Sequence, residues 1–189
     1  MTLAIVTGIP GVGKSTVLKI LQKMSDNVQI INYGDLMLEE AIKRDYVSHR
    51  DEIRKLPRSI QLKLQRIAAE KIAELKSPDR IVIVDTHSVI KTPFGYLPGL
   101  PFSILDILKP DYIIAIKASP KEISYRRSLD PNRRRDIEEE SEIERHLMFE
   151  DIFNAAYAAY INCMYLTVQN EHGKQEDAAK KIFKVLSGD

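Results

Sequence analysis

Apolar runs recur along the chain at wide intervals, and the segments between them carry helical periodicity. Leu3–Thr7, Val28–Ile31, Ile81–Val84, Tyr112–Ile116 and Met164–Val168 are short and mostly apolar at consecutive positions, and several are rich in β-branched residues. Strands of this kind need cover on both faces, which points to a parallel sheet between layers of helix. The stretches between them are long enough for the crossovers that parallel strands require.

The pattern predicts a helix from about Lys14 to Met24 and a helical stretch from Ile53 to Lys76, with Pro57 as a break or a start. It also predicts a long helix from Ile137 to about Ile161, with Asp136 as N-cap, and a closing helix over Lys174–Leu186. Glu138, Glu139 and Glu140 would occupy the first turn of the long helix, where the helix dipole favours acids. Asp35 is a candidate N-cap after the second strand. Residues 34–76 hold more helix than one crossover needs and read as a helical subdomain laid on the sheet. Thr92–Pro101, with Pro93, Gly95, Pro98, Gly99 and Pro101, reads as a shaped loop.

The length of 189 residues suits one domain, 1–189, and a net charge of +1 gives no general attraction to nucleic acid or anionic membrane. A single cysteine, Cys163, rules out an intramolecular disulfide and suits a reducing, cytoplasmic compartment. The first strand begins almost at once, leaving no room for a signal peptide, and no apolar run approaches the roughly 20 residues of a membrane helix. No RNA-binding signature is present.

Chemistry enters with Gly8-Ile9-Pro10-Gly11-Val12-Gly13-Lys14-Ser15, followed by Thr16. This is the G-x-x-x-x-G-K-S/T pattern between a strand and a helix, the context it requires. Glycines let successive backbone N–H groups turn inward as a nest for phosphate oxygens, and the helix adds its positive end. Lys14 can reach β- and γ-phosphates, and the Ser15 hydroxyl suits Mg²⁺. Asp85, at the end of the third strand, is placed to hold Mg²⁺ through water, although an acid there also serves as an N-cap.

Arg126, Arg127, Arg133, Arg134 and Arg135 crowd around Leu129-Asp130-Pro131-Asn132, a turn. Alone they read equally as a solvated charge run. Beside a phosphate loop they read as a short lid, residues 127–137, because phosphoryl transfer rests on neutralising charge. In an extended segment Arg133 and Arg135 share a face and Arg134 points away. Arg50, Arg54 and Lys91 are further candidate phosphate contacts, each alone an ordinary surface charge, and His87 lies just past Asp85.

These residues resemble a known family, the archaeal-type adenylate kinases, over almost the whole chain. The likeness runs from Val6 to Thr16, through Ile31-Asn32-Tyr33-Gly34-Asp35 and Arg50–Leu56, to the narrow signal Asp85–Pro93 and Gly95–Pro101. It implies an α/β fold, a three-layer P-loop NTPase core with a five-stranded parallel sheet, a helical AMP-binding arm and a short lid. It implies the reaction Mg·ATP + AMP ⇌ 2 ADP, with Mg²⁺ as cofactor, ATP, AMP and ADP as small-molecule partners, and a homotrimer. The resemblance carries ATP phosphates and Mg²⁺ to residues 8–16, AMP to Gly34, Asp35, Arg54, Thr86, His87 and Thr92, and catalytic charge to Lys14, Arg126, Arg133 and Arg135. Asn170–Gly173 falls where such kinases meet the ATP adenine through backbone groups, and the Ala/Tyr-rich helix around Tyr157 is the expected subunit contact.

One departure stands out. The family pattern expects arginine where this chain has Lys91, and an ammonium cannot form the bidentate fork with phosphate. Lys91 is therefore expected to be a weaker AMP contact than Arg54. Two rival readings share the phosphate loop. One is another P-loop small-molecule kinase, acting on CMP or a different acceptor. The other is a nucleotide switch, against which stand the arginine-rich segment and the absence of an N-K-x-D guanine-reading motif.

Overall fold

The five apolar runs form one sheet. In the computed structural model, which describes residues 2–75, 79–129 and 138–188, β1 (Thr2–Thr7), β2 (Val28–Asn32), β3 (Ile81–Asp85), β6 (Tyr112–Lys117) and β7 (Met164–Gln169) pair in the order β2-β3-β1-β6-β7. Every pairing is parallel. Side chains alternate faces along a strand. Ala4 and Val6 of β1 therefore pack with Ile81 and Ile83 of β3 on one side, and Leu3 and Ile5 with Val82 and Val84 on the other. The first face is covered by α1 (Lys14–Gln22), α6 (Pro120–Leu129) and α8 (Gln175–Ser187), the second by α4 (Arg58–Glu74), α5 (Phe102–Leu108) and the C-terminal half of α7 (Glu140–Ile161). The result is the three-layer α/β arrangement expected of the sequence.

Between β2 and β3 the chain adds α2 (Tyr33–Lys43) and α3 (Arg50–Ile53) before α4. These helices have a small core of their own around Ala41, Ile53 and Leu64. Buried Glu40 ties them together by pairing with Lys71 of α4 and Arg44. Pro57 acts as a start: its fixed φ suits the residue before α4.

Three expectations need correction. Asn32, not Asp35, caps α2; its side chain accepts from the Asp35 backbone N–H at 3.1 Å. Thr92–Pro101 is not simply a loop, because Val89–Thr92 (β4) and Gly95–Pro98 (β5) form an antiparallel hairpin with a two-residue turn at Pro93-Phe94. The long helix starts at Glu140 with Glu139 at its N-cap, so Glu138 lies outside the first turn, where it is engaged by Arg127 and Lys91. Asp136 and Ile137 lie outside the described residues. Tyr157 of α7 is buried in this chain's own core and donates its hydroxyl to the Ser88 carbonyl at 2.9 Å. Among the described residues no helix is long and apolar enough to cross a membrane.

Candidate active site

The loop from β1 to α1 supplies the phosphate nest. Gly11 and Gly13 have φ of 95° and 87°, a left-handed backbone that only glycine adopts at little cost. Space forbids a side chain as well: a Cβ on Gly13 would lie 2.4 Å from Asn170 Nδ2, and one on Gly11 3.0 Å from Arg127 Cγ. Lys14 is the first residue of α1 and is buried. Its ammonium pairs with the Asp85 carboxylate. The register explains the meeting: Val6, Asp85 and Asn32 are level at the carboxyl ends of adjacent strands, where open α/β sheets bind ligands. Asn32 Nδ2 donates to the other Asp85 oxygen at 3.0 Å.

Two recesses open off this cleft. One, of about 750 Å³, is lined by the phosphate loop, Ser15, Thr16 and Arg126. The other is lined by Tyr33, Gly34, Met37, Ile53, Gln65 and Thr86. Both share Lys14, Asn32, Arg50, Arg54, Asp85 and His87 as walls. Arg50 is fastened over the start of α2 by Asp35 and by Asn32 Oδ1 at 3.2 Å. The guanidinium lies close over Gly34, where a Cβ would have to displace it.

His87 is exposed to the cleft yet lies deep within it, and its Nδ1 sits 3.1 Å from the Gly8 carbonyl oxygen. Loss of bulk water, aided by the nearby Lys14 charge, pushes its pKa down to about 4. The ring is thus neutral at physiological pH and adds no charge to the site.

The structure brings together Lys14, Asp85, Gly34, Arg54, Thr86, His87 and the loop 8–16. Asp35 reaches the cleft only through Arg50. Lys91 and Thr92, the other expected AMP contacts, line neither recess. The hairpin packs toward α7, where Glu138 and Glu142 hold the Lys91 ammonium at 2.7 and 3.0 Å. Thr92 Oγ1 is taken up by the Gly95 carbonyl within the turn. Burial works against the Lys91 charge, but the two carboxylates outweigh it and raise its pKa. Arg133 and Arg135, with the rest of 130–137, lie outside the described residues.

The two described arginines differ sharply. Arg126 edges the phosphate recess, donating to the backbone oxygens of Val12 at 3.0 Å and Asn170 at 2.8 Å. Arg127, the adjacent residue, is 2% exposed. Its Nε donates to the Pro10 carbonyl at 2.9 Å and its Nη1 pairs with Glu138 at 3.0 Å. Sequence reading grouped the two; only the turn of α6 separates a cleft residue from a buried one. Asn170 was legible only as part of a segment. Its Nδ2 donates to the Val12 carbonyl at 2.7 Å, so the loop after β7 grips the phosphate loop directly.

For a divalent cation, the donors facing the phosphate recess are the Ser15 hydroxyl and the Asp85 carboxylate. Two hard oxygens beside a phosphate nest fit Mg²⁺, which binds through one or two protein oxygens, substrate phosphates and water rather than an all-protein cage. No cluster of three or more His, Cys, Asp or Glu that could hold a metal occurs among the described residues.

Comparison with known proteins places the arrangement. A family model described as an AAA domain matches residues 7–144. An adenylate kinase of Pyrococcus horikoshii is 46% identical over 187 residues, covering 96% of this chain and 93% of the relative. The chain belongs to the adenylate kinase family. Other adenylate kinases agree: one from Pyrococcus furiosus at 45% identity over 184 residues, covering 96% and 93% of the two chains, and one from Methanopyrus kandleri at 42% over 183 residues, covering 96% of each. Among solved structures, shikimate kinase from Acinetobacter baumannii in complex with shikimate is similar with a TM-score of 0.64 at 15% identity, covering 100% of this chain and 94% of that one. At that identity the likeness speaks for the fold alone.

A buried histidine beside the site gives a pH signature. His146 of α7 is 5% exposed and its Nε2 has no hydrogen-bond partner. Burial first, then the Arg127 and Lys91 charges, lower its pKa to about 4 despite Glu138; Lys117 adds to the effect and the Tyr96 ring packs against it. The unfolded chain binds a proton near pH 6.5 that the folded protein refuses, so His146 makes stability fall as pH drops from about 6.5 toward 4. Glu150, pushed up by burial, works in the opposite sense. The expected result is that His146→Gln loses less stability than the parent between pH 7 and 5 in urea titrations. Parallel losses would remove His146 as the cause.

Proposed function

We propose that the protein is an ATP:AMP phosphotransferase, catalysing Mg·ATP + AMP ⇌ 2 ADP. The observation that carries this reading is the pair of recesses that share Lys14, Arg50, Arg54, Asp85 and His87. A phosphate nest on one side and two guanidinium groups on the other put a donor and an acceptor phosphate within reach of one lysine. The residues 34–76 then form the AMP-binding arm and the residues 127–137 the lid.

In this reading the backbone N–H groups of the phosphate loop, Pro10 excepted, bind the β- and γ-phosphates of ATP, and Lys14, already in place, neutralises the transferred group as its charge shifts. Mg²⁺, held at Ser15 and, through water, at Asp85, would supply neutralisation of the phosphate charge. Arg54 fixes the acceptor phosphate, with Arg50 beside it. Neutral His87 leaves the cleft walls without a further charge. Arg126 neutralises charge at the transferring phosphoryl, joined in the proposal by Arg133 and Arg135. The fold needs no covalent intermediate, and closure excludes the water that would hydrolyse ATP. A homotrimer and a cytoplasmic location belong to the same proposal, the latter supported by the lone, half-buried Cys163.

The deciding experiment supplies Mg·ATP with AMP, CMP, UMP, GMP or shikimate in turn and follows ADP. Strong, reversible transfer to AMP is expected. Transfer to another acceptor would keep the phosphate chemistry and move the function, and nucleotide binding without acceptor-dependent ADP would favour a switch. Within the site, Arg54→Ala is expected to raise the AMP KM at least tenfold more than Lys91→Ala, because only Arg54 lines the cleft while Lys91 is held by two glutamates. Initial-rate kinetics giving the reverse order would defeat this assignment.

A further inference from the structure

The phosphate loop is held from behind at alternate carbonyls. His87 Nδ1 lies 3.1 Å from the Gly8 oxygen, and Arg127 Nε donates to the Pro10 oxygen at 2.9 Å. The Val12 oxygen takes two donors, Asn170 Nδ2 at 2.7 Å and Arg126 Nη1 at 3.0 Å. Of the carbonyls in between, that of Ile9 takes the Val12 N–H, and that of Gly13 takes the N–H groups of Thr16 and Val17. A trans peptide is planar, with its C=O and N–H pointing opposite ways. No cis bond occurs among the described residues. Fixing the Val12 carbonyl therefore fixes the Gly13 N–H on the other side. Gly13 lines the phosphate recess, whereas Val12 and Asn170 do not. The donor that the nest offers at Gly13 is thus aimed by a side chain behind it.

Asn170 suits that one contact. It is 1% exposed. Its backbone N–H donates to the Lys117 carbonyl at 2.7 Å, and its own carbonyl takes Arg126 Nη2 at 2.8 Å, so its main chain is pinned on both sides. The Val12 oxygen can only accept, so the amide turns its nitrogen there and leaves Oδ1 buried without a partner. An unpaired buried oxygen costs stability. A leucine of similar size would avoid that cost, so the donor, and not the packing, explains the residue. Gly13 is its complement: a Cβ there would lie 2.4 Å from Asn170 Nδ2. Arg126 is no substitute. Its long side chain edges the cleft, and in the proposed reaction its guanidinium serves the moving phosphoryl group. Asn170 then holds the carbonyl by itself.

We propose that Asn170 is a positioning residue for the donor phosphates, setting the Val12–Gly13 peptide so that the Gly13 N–H meets them without reorganisation. The side chain acts through that peptide and not by contact with the nucleotide. A dipole already aimed at the phosphate is worth more than one that must turn to reach it. The proposal rests on the phosphotransferase reading only in taking the loop as the site of the donor's phosphates.

The test uses the intact protein and separates phosphate from base. Asn170→Leu keeps the bulk and removes the donor, and Asn170→Ala removes it without adding branches to a packed site. Both are expected to fold by circular dichroism, because Arg126 still satisfies the Val12 carbonyl and the unpaired oxygen leaves with the amide. Each is expected to raise the ATP KM about tenfold, the worth of one hydrogen bond to a charged group, and to leave the AMP KM within about twofold. Tripolyphosphate, which has no base, is then titrated as a competitor of ATP at saturating AMP. Its inhibition constant is expected to rise by the same factor as the ATP KM. An unchanged ATP KM in both variants would overturn the proposal. So would equal rises in the ATP and AMP KM, the mark of a general structural loss. An ATP KM that rises while tripolyphosphate inhibits as in the parent would overturn it too, since Asn170 would then serve the base. If the parent transfers nothing to AMP, calorimetric titration with ATP and with tripolyphosphate replaces the kinetics. Weaker binding of both by the variants would then uphold Asn170 while the kinase reading falls. Transfer to AMP with parental constants in both variants would do the reverse.

Discussion

Lys14→Met is expected to lower kcat on the order of 10³-fold while leaving the circular-dichroism spectrum intact. The ammonium sits at the first residue of α1, inside the nest whose backbone donors face the phosphates, and it is the charge common to both recesses. Stabilising charge that is in place before the reaction is worth most where water is excluded, and single cations in phosphoryl transfer contribute about 10³- to 10⁵-fold. The loss is expected in kcat with either substrate saturating, because the charge matters most while the phosphoryl group is between partners. Lys14→Arg is expected not to rescue, since a planar fork is longer and cannot enter a pocket shaped by Asp85 and the glycine nest. A coupled assay showing Lys14→Met within about tenfold of the parent would remove Lys14 from catalysis.

The second large effect is on stability. Arg127→Met is expected to cost about 3 kcal/mol, the low end of what breaking a buried ion pair from one side costs. That is a fall of roughly 6–12 °C in Tm for a chain of this size. The side chain is 2% exposed and its removal strands the Pro10 carbonyl and leaves Glu138 with Lys91 as its ion-pair partner. Methionine keeps most of the volume, so the loss reports the polar contacts rather than a cavity. Arg126→Ala, one residue away, is expected to lower Tm less than Arg127→Met, losing its two backbone hydrogen bonds, and to slow turnover as well, since its guanidinium edges the cleft. Differential scanning calorimetry on both variants separates the roles. Equal melting of Arg127→Met and the parent would show that the buried guanidinium contributes no net stability.

That contrast also marks where the sequence was legible. The inner strands of the main sheet announced themselves, because a strand covered on both faces must be apolar at consecutive positions, while the edge strands β2 and β7 are only partly covered and read as mixed runs. The phosphate loop was equally plain, since its glycines and lysine answer a local geometric demand and leave a fixed spacing. Lys91 was different. Its charge suits a phosphate or a carboxylate alike, and only the packing of the hairpin against α7 puts Glu138 and Glu142 beside it. Asn32 serves two partners because β2 and β3 are in register, a fact of pairing that no local pattern records. Gln65 lay inside a run of ordinary helix formers, and nothing in that run distinguishes it from Gln61 one turn earlier.

The strand order has a consequence for how the chain is made. β1 is synthesised before the other strands of this sheet and is the middle strand of the finished sheet, with β3 and β6 as its neighbours. Thr2 pairs with Ile81 and Ala4 with Tyr112, so the partners of Leu3–Val6 are synthesised long after it. Those contacts demand closure of long loops before any apolar surface is covered, the arrangement that slows folding most. Until Lys117 has emerged, four consecutive apolar residues have at most one flank paired. A nascent chain halted short of β6 is therefore a preferred client for chaperones that hold extended apolar segments, whereas one released after β7 can close the sheet on its own.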